Sequence, residues 1–261
     1  MGIKLLLYGP SGTGKTHFAW TAGPRTAYIE VGKHALTGQL FDYKMAFHET
    51  VFIKASELSR DYISEIREVL KKAFDDLNSW DTLVIDELTS LGLASKLRGL
   101  KINDELGVGD KSKGWFKKAE VLKAVLMHPS DWGTAIGVLD SFLSEVCRGC
   151  DENDKNVILL AHERIEFAQT KLGEDRKRAR TYIGTFGQTF PDTVPNYFNY
   201  VWHTSVEGKG KTKRYFIRTE GEEGLYGKTE GKPYELDLDV SRDKEGKAKF
   251  TFLEGVVRRN V

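Results

Sequence analysis

Eight consecutive residues, Gly9-Pro10-Ser11-Gly12-Thr13-Gly14-Lys15-Thr16, carry the types and spacing of a phosphate-wrapping loop. The pattern is G-x-x-x-x-G-K-T. Its glycines let backbone N–H groups converge on phosphate oxygens without Cβ clashes. Lys15 can reach the β- and γ-phosphates, and the Thr16 hydroxyl can ligate Mg²⁺. His17 follows at the start of the next element and is included in the expected nucleotide-binding set Gly9 to His17. Residues 3–8 are an apolar run suited to a buried parallel strand, and residues 16–21 can begin a helix. Strand, glycine loop and helix place a helix N-terminus at the anion. The expected ligands are ATP and Mg²⁺. No N-K-x-D guanine-reading pattern occurs in the chain.

A triphosphate site also needs carboxylates. Residues 81–86 (DTLVID) form a continuous apolar run ending in Asp86, which resembles the Walker B element that holds Mg²⁺ in P-loop enzymes. Two residues compete as the general base that activates water. One is Glu87, directly after Asp86. The other is Glu30, in the strand-like segment 26–31 (TAYIEV). A third apolar run, 156–161 (NVILLA), is followed by His162, placed where a γ-phosphate sensor would sit. Lys15, Glu30, Glu87 and His162 are thus the catalytic candidates, with Thr16 and Asp86 as metal ligands.

The elements that must position these groups alternate. A third strand is expected at 50–54. Residues 56–77 have apolar positions at helical spacing, with Ser56 as a possible N-cap. A short helix is expected at 88–100, a polar loop at 101–113, and helices at 115–127 and 131–146. The strand after 156 can extend over 164–169. Residues 198–204 and 213–218 read as a hairpin around a Gly/Lys turn, and the tail from 221 is polar, with β-like pieces such as 250–253. Residues 34–47 match no pattern. These spacings predict one α/β domain over 1–261: a core over about 1–220, a tail over about 221–261, and a possible insertion over about 92–130.

The segment 171–180 (KLGEDRKRAR) carries Lys171, Arg176, Lys177, Arg178 and Arg180, followed by Tyr182, Phe186 and Phe190. Basic residues beside aromatics suit single-stranded nucleic acid, because phosphates pair with guanidinium groups and bases stack on rings. The equally open alternative is a solvated charged loop with buried aromatics at its end. The net charge is +1, from 39 Lys plus Arg against 38 Asp plus Glu, so the whole molecule has no field that would draw in a polyanion. Any such binding is local. No apolar run approaches a membrane span. The first residues lead directly into a strand without a signal-peptide pattern, so a cytoplasmic protein with no membrane partner is expected. The two cysteines, Cys147 and Cys150, form a single C-x-x-C without a second pair to complete a zinc site, and read as structural.

In order and spacing the chain resembles the RecA-like branch of P-loop ATPases, and within it the phage nucleotide-binding proteins that include single-strand annealing ATPases. The resemblance is carried by GPSGTGKT at 9–16, TAYIEVGKHAL at 26–36, LVIDELTSL at 83–91, VILLAHERIE at 157–166 and FIRTEGEEG at 216–224. It implies a mostly parallel central sheet with helices on both faces and a C-terminal antiparallel hairpin. It also implies ATP hydrolysis stimulated by single-stranded DNA in recombination, annealing or replication, and DNA contact by residues 170–190. Assembly into filaments or rings is expected, with Arg218, Lys228 or Lys232 completing a neighbour's γ-phosphate site, together with a possible single-strand-binding protein as partner. If phage-encoded, the protein would work in the host cytoplasm. The sequence departs from the family in having Glu87 after Asp86, where this branch more often has a small polar residue. The alternative is a small-molecule phosphotransferase or regulatory NTPase that does not act on DNA, with Arg98 and Lys113 available for a lid over 92–130.

Overall fold

The computed structural model describes residues 2–32, 45–54, 56–57, 59–106, 127, 129–167, 178–186, 190–221, 225, 227–230, 234–235, 237–242 and 247–258. The parallel strands are β1 (Lys4–Gly9), β2 (Thr26–Val31), β3 (Phe47–Val51), β4 (Thr82–Asp86), the first half of β5 (Asn156–Phe167) and β7 (Tyr200–Glu207). They run in the order β7-β1-β5-β4-β2-β3. β5 thus lies between the strand that enters the glycine loop and the strand that ends in Asp86. β8 (Arg214–Arg218) and β10 (Asp237–Asp239) extend the sheet beyond β7 as antiparallel strands, and β9 (Lys228–Thr229) also pairs with β7. The result is a mostly parallel sheet with an antiparallel C-terminal extension.

The side-chain period of two sorts the sheet into two faces. Leu6, Tyr8, Ile29, Leu83, Ile85, Leu159 and Ala161 pack under α2 (Tyr62–Asp75), α3 (Leu88–Leu106) and α4 (Pro129–Glu152). Leu5, Leu7, Tyr28, Val84, Ile158 and Leu160 face the other way, onto α1 (Lys15–Trp20) and the C-terminal residues Leu238, Phe252 and Val256. Hydrophobic burial on both faces explains why the central strands read as continuous apolar runs rather than alternating ones. The polar tail therefore carries its own buried anchors and belongs to the second core.

Several boundaries differ from expectation. α2 starts at Tyr62 because Asp61, not Ser56, caps it by accepting from the Ser64 N–H at 3.2 Å. β3 is Phe47–Val51 rather than 50–54, set by its parallel register with β2. α3 continues past residue 100 into the first part of the expected loop and is described to Leu106; residues 107–113 lie outside the described residues. There Asn103 is buried and donates to Asp131 at 2.8 Å while accepting from Thr134 at 2.8 Å, so a polar-looking stretch is held against α4. α4 begins at Pro129 and extends to Glu152. The expected β-like piece at 250–253 is instead part of a helical turn, Phe252–Val257. The helix expected at 115–127 and the unplaced stretch at 34–47 lie almost wholly outside the described residues. Among the described residues, no helix is long and apolar enough to cross a membrane.

Candidate functional site

The strand ends converge at one edge. In register, Gly9 lies opposite His162, Asp86 opposite Leu160, and Glu30 opposite Asp86. Alternation continues the α1 face outward from Tyr28 to Glu30, from Val84 to Asp86 and from Leu160 to His162. The sheet thus delivers Glu30, Asp86 and His162 to the side where the glycine loop begins α1. A cavity of about 690 Å³ opens there, lined by loop residues Ser11, Gly12, Gly14, Lys15 and Thr16 and by His17, Glu30, Asp86, Glu87 and His162.

Gly14 sits at φ +86°, a left-handed conformation that glycine takes without strain, and so turns the loop into α1. The Lys15 ammonium donates to the carbonyls of Gly9 at 2.9 Å and Pro10 at 2.6 Å, folding back over the loop it follows. Burial pushes its pKa below the ordinary value, while the carboxylates of Asp86, Glu87 and Glu163 pull it back up. Another loop side chain, Thr13, is 2.6 Å from Thr204 of β7, hydroxyl to hydroxyl, which ties the loop to β7.

Asp86 Oδ2 accepts from the Thr16 hydroxyl at 2.9 Å and from the Tyr28 hydroxyl at 2.5 Å. Burial raises the Asp86 pKa; those two hydrogen bonds oppose it, and the charges of Glu87 and Glu30 add to it. Its carboxylate neighbours Glu87 and Glu30 thus work against its ionised form, while its own charge acts on the Lys15 ammonium across the cavity. Thr16 and Asp86 offer two hard oxygens side by side, and Mg²⁺ takes one or two such protein ligands with phosphate oxygens and waters for the rest. The residues fit that ion. Among the described residues, no group of three or more His, Cys, Asp or Glu side chains is placed to hold a metal ion.

His162 Nε2 lies 2.6 Å from Glu87 Oε2. Glu30 is buried, accepts from Thr50 at 3.3 Å, and has His48 at 3.7 Å. His162 is also where β5 leaves the main sheet. From Glu163 to Phe167, β5 pairs antiparallel with β6 (Arg178–Ile183). The root of this hairpin is pinned: the Gly184 N–H donates to the His162 carbonyl at 2.6 Å, and Thr89 donates to the Gly184 carbonyl at 2.9 Å. A Cβ on Gly184 would stand 2.4 Å from that carbonyl, so only glycine permits the approach. Next to it, Glu163 meets His203 of β7 at 2.8 Å.

The remaining expected residues are spread more widely. Arg178 and Arg180 belong to β6, while Lys171, Arg176, Lys177 and Lys232 lie outside the described residues. Two of the aromatics beside them do not face solvent: Phe186 and Phe190 are core side chains, 4% and 2% exposed. Tyr182 donates to Glu166. Arg218 pairs with Asp237 at 2.9 Å, and Lys228 binds the Phe198 carbonyl at 2.9 Å and Glu230 at 2.6 Å. Cys147 and Cys150 are buried on α4, and burial pushes the Cys147 thiol up to about 12, which suits packing rather than redox chemistry. The sequence reading missed Lys213, Tyr215, Val240, Ser241 and Arg242, which form the cavity's far wall. They carry no local motif; the fold of the antiparallel extension brings them there.

A glycine loop on a parallel sheet edge, with a lysine, a hydroxyl and an acidic strand end around one cavity, defines a P-loop NTPase. Residues 1–230 match the model of the AAA domain family, and the chain belongs to that family. Among curated proteins it is similar to the chromosomal replication initiator protein DnaA of Campylobacter jejuni, at 24% identity over 183 residues. That match covers 66% of this chain and 37% of the relative, so the chain spans little more than a third of the curated relatives it matches. Among solved structures it is similar to the flagellar accessory protein FlaH of Methanocaldococcus jannaschii, with a TM-score of 0.45 and 8% identity over 96% of this chain and 90% of the other. It is also similar to the KaiC-like protein PH0186 of Pyrococcus horikoshii, with a TM-score of 0.44 and 13% identity over 94% and 88%.

Proposed function

We propose that this protein hydrolyses ATP and couples hydrolysis to a grip on single-stranded DNA, in phage-type recombination, annealing or replication. The observation that carries the reading is the position of His162. It contacts Glu87 in the cavity, and it is the residue from which the β5–β6 hairpin departs toward the basic stretch 171–180. A change at the γ-phosphate edge of the cavity is therefore one residue from the element proposed to hold DNA. The curated relative's name, a chromosomal replication initiator, also points toward work on DNA.

In this reading Lys15 and the loop amides hold the triphosphate. When bound, Mg²⁺ supplies charge neutralisation between the phosphates, held by Thr16 and Asp86. Glu87 orients the attacking water. It is favoured over Glu30 because its charge, with those of Asp86 and Glu163, acts directly on the Lys15 ammonium that marks the terminal phosphate. Glu30 sits behind Asp86 and contributes to the negative field there. His162 fixes Glu87 and passes its position to the hairpin.

The test is the ATPase rate with and without single-stranded DNA at two salt concentrations. The expected result is a stimulation that weakens with salt, since single-strand affinity falls with a log–log slope of about −0.7 per phosphate contact. Charge reversal at Arg176 and Arg178 should remove it. A rate indifferent to DNA would sink this reading and favour a phosphotransferase or a nucleotide-dependent switch.

A further inference from the structure

The cavity has a second wall that the phosphate chemistry does not use. Tyr215 of β8 and Val240, Ser241 and Arg242 after β10 line it, beside His17. This wall is fixed within the same chain. Ser241 Oγ accepts from the Tyr215 N–H at 2.7 Å, and the Val240 N–H donates to the Tyr215 carbonyl at 2.9 Å. Asp239 is held by Arg214 and Lys249, each at 2.7 Å. Further along, the Phe250 ring lies parallel to Phe18 at 6.3 Å, and the Phe252 N–H donates to the Thr21 hydroxyl at 2.7 Å. The C-terminal segment is thus strapped onto α1, the helix that follows the phosphate loop. Arg242 Nε then donates to His17 Nε2 at 3.3 Å. The Tyr215 ring comes within 3.4 Å of where a Cβ on Gly14 would stand, so it lies against the loop itself.

We propose that Arg242 and Tyr215 form a clamp, supplied in cis by the C-terminal strap, for the nucleoside half of the ligand. The inference rests on reading the cavity as a nucleoside triphosphate site. That reading puts the β- and γ-phosphates at Lys15 and Thr16, beside Asp86. The carboxylates of Glu30, Asp86 and Glu87 close that side. His17, the residue after Thr16, leads from there to Arg242 and Tyr215, which line the same cavity. A guanidinium plane and a phenol ring present flat faces to an aromatic base, and a guanidinium keeps its charge at any working pH. The loop amides and Lys15 already serve the anion, and Arg242, held at His17, and the Tyr215 ring, lying against Gly14, are left for the rest of the ligand, with Lys213 beside them. The chain's own C-terminal region thus completes the site.

The test is direct calorimetric titration of the full chain with ATP and, separately, with inorganic triphosphate, which has phosphates but no base. Arg242→Ala should weaken ATP about tenfold, the scale of a desolvated cation–π contact, and leave inorganic triphosphate within about twofold. Arg242→Lys should not restore ATP affinity, because it keeps the charge but not the plane. Thermal melting checks that both variants fold. An equal loss for both ligands would make Arg242 a phosphate contact and overturn the clamp, as would no loss for either. If wild-type protein bound neither ligand, or Lys15→Ala left both unchanged, the nucleotide reading itself would fall and the clamp with it.

Discussion

The two walls of the cavity are built by different means. On one side Glu30, Asp86 and His162 lie at the carboxyl edge of the central parallel ladder, and Glu87 follows one of its strands. Their backbones are fixed by a ladder in the middle of the core, and their charges are negative or titratable. On the other side Tyr215, Ser241 and Arg242 come from antiparallel strands and the segment that follows them, held by side-chain anchors such as Asp239 and Phe252. There the nearest charge is positive. On the proposed reading the contrast separates two tasks: the parallel wall would carry the chemistry, and the C-terminal wall would receive the rest of the ligand. Substitutions should therefore have large kinetic effects on the first wall and binding or stability effects on the second.

The largest effects are expected among the carboxylates. Glu87→Gln should lower kcat by about 10²- to 10⁴-fold, the range for removing a positioned general base, with ATP affinity kept. Glu30→Gln should cost about tenfold or less, since a residue that only shapes the field loses less than the base itself. Single-turnover hydrolysis measures both. If Glu30→Gln proved the more damaging, the two roles would be exchanged, and the His162–Glu87 pair would be a structural link only.

Next in size is the anchoring of the second wall. Phe252 is fully buried against Phe18, so Phe252→Ala should cost about 3–5 kcal/mol by loss of burial and creation of a cavity. Denaturant unfolding reads this directly. The sharper expectation is that ATP binding weakens along with stability, because the strap that holds Arg242 is loosened. A variant equally destabilised on the other face, such as Phe142→Ala in α4, should lose stability without that change in affinity.

The same contrast explains what could be read from the chain alone. The glycine loop, Asp86, Glu30 and His162 were legible because each is tied to a local signal: a motif, or a polar residue ending an apolar run. Their convergence also followed, since strand ends of a parallel sheet share an edge. Between Glu30 and Glu87 no local signal in the chain decides; the field at Lys15, on which the proposed role of Glu87 rests, exists only in the folded arrangement. Arg242 was invisible because it lies in a polar stretch with no periodicity, 227 residues from Lys15. It reaches the cavity only through pairing of β10 with β8. The length of α3 was misread for a related reason: Asn103 looks like a loop residue until Asp131 and Thr134 satisfy it. Phe186 and Phe190 looked available for stacking on bases, but spacing does not reveal that the residues after β6 turn back into the core.

The smallest effect concerns Asp86 and Asp239, carboxylates on opposite walls whose pKa values shift in opposite directions. Burial raises Asp86 above its ordinary value of 3.8. Burial also acts to raise Asp239, but hydrogen bonds from Arg214, Lys249 and Ser241 outweigh it and hold that group well below the usual carboxylate range. For Asp86 the folded state binds more protons than the unfolded state between the two pKa values, so ligand-free stability falls as pH rises through that window. For Asp239 the stabilising contribution is present above the unfolded value and is lost as pH falls toward the folded one. Asp86→Asn should therefore raise the melting temperature of the ligand-free protein near neutral pH, by about 2–4 °C if the relief is about 1 kcal/mol, while abolishing turnover. The gain should vanish below about pH 4, where Asp86 is protonated in both states. Asp239→Asn should do the reverse, lowering the melting temperature at neutral pH and flattening the acid limb. Calorimetric scans from about pH 3 to 7 on the two variants distinguish the walls. A neutral-pH loss in Asp86→Asn would mean that its hydrogen bonds from Thr16 and Tyr28 outweigh the crowding of acids around it.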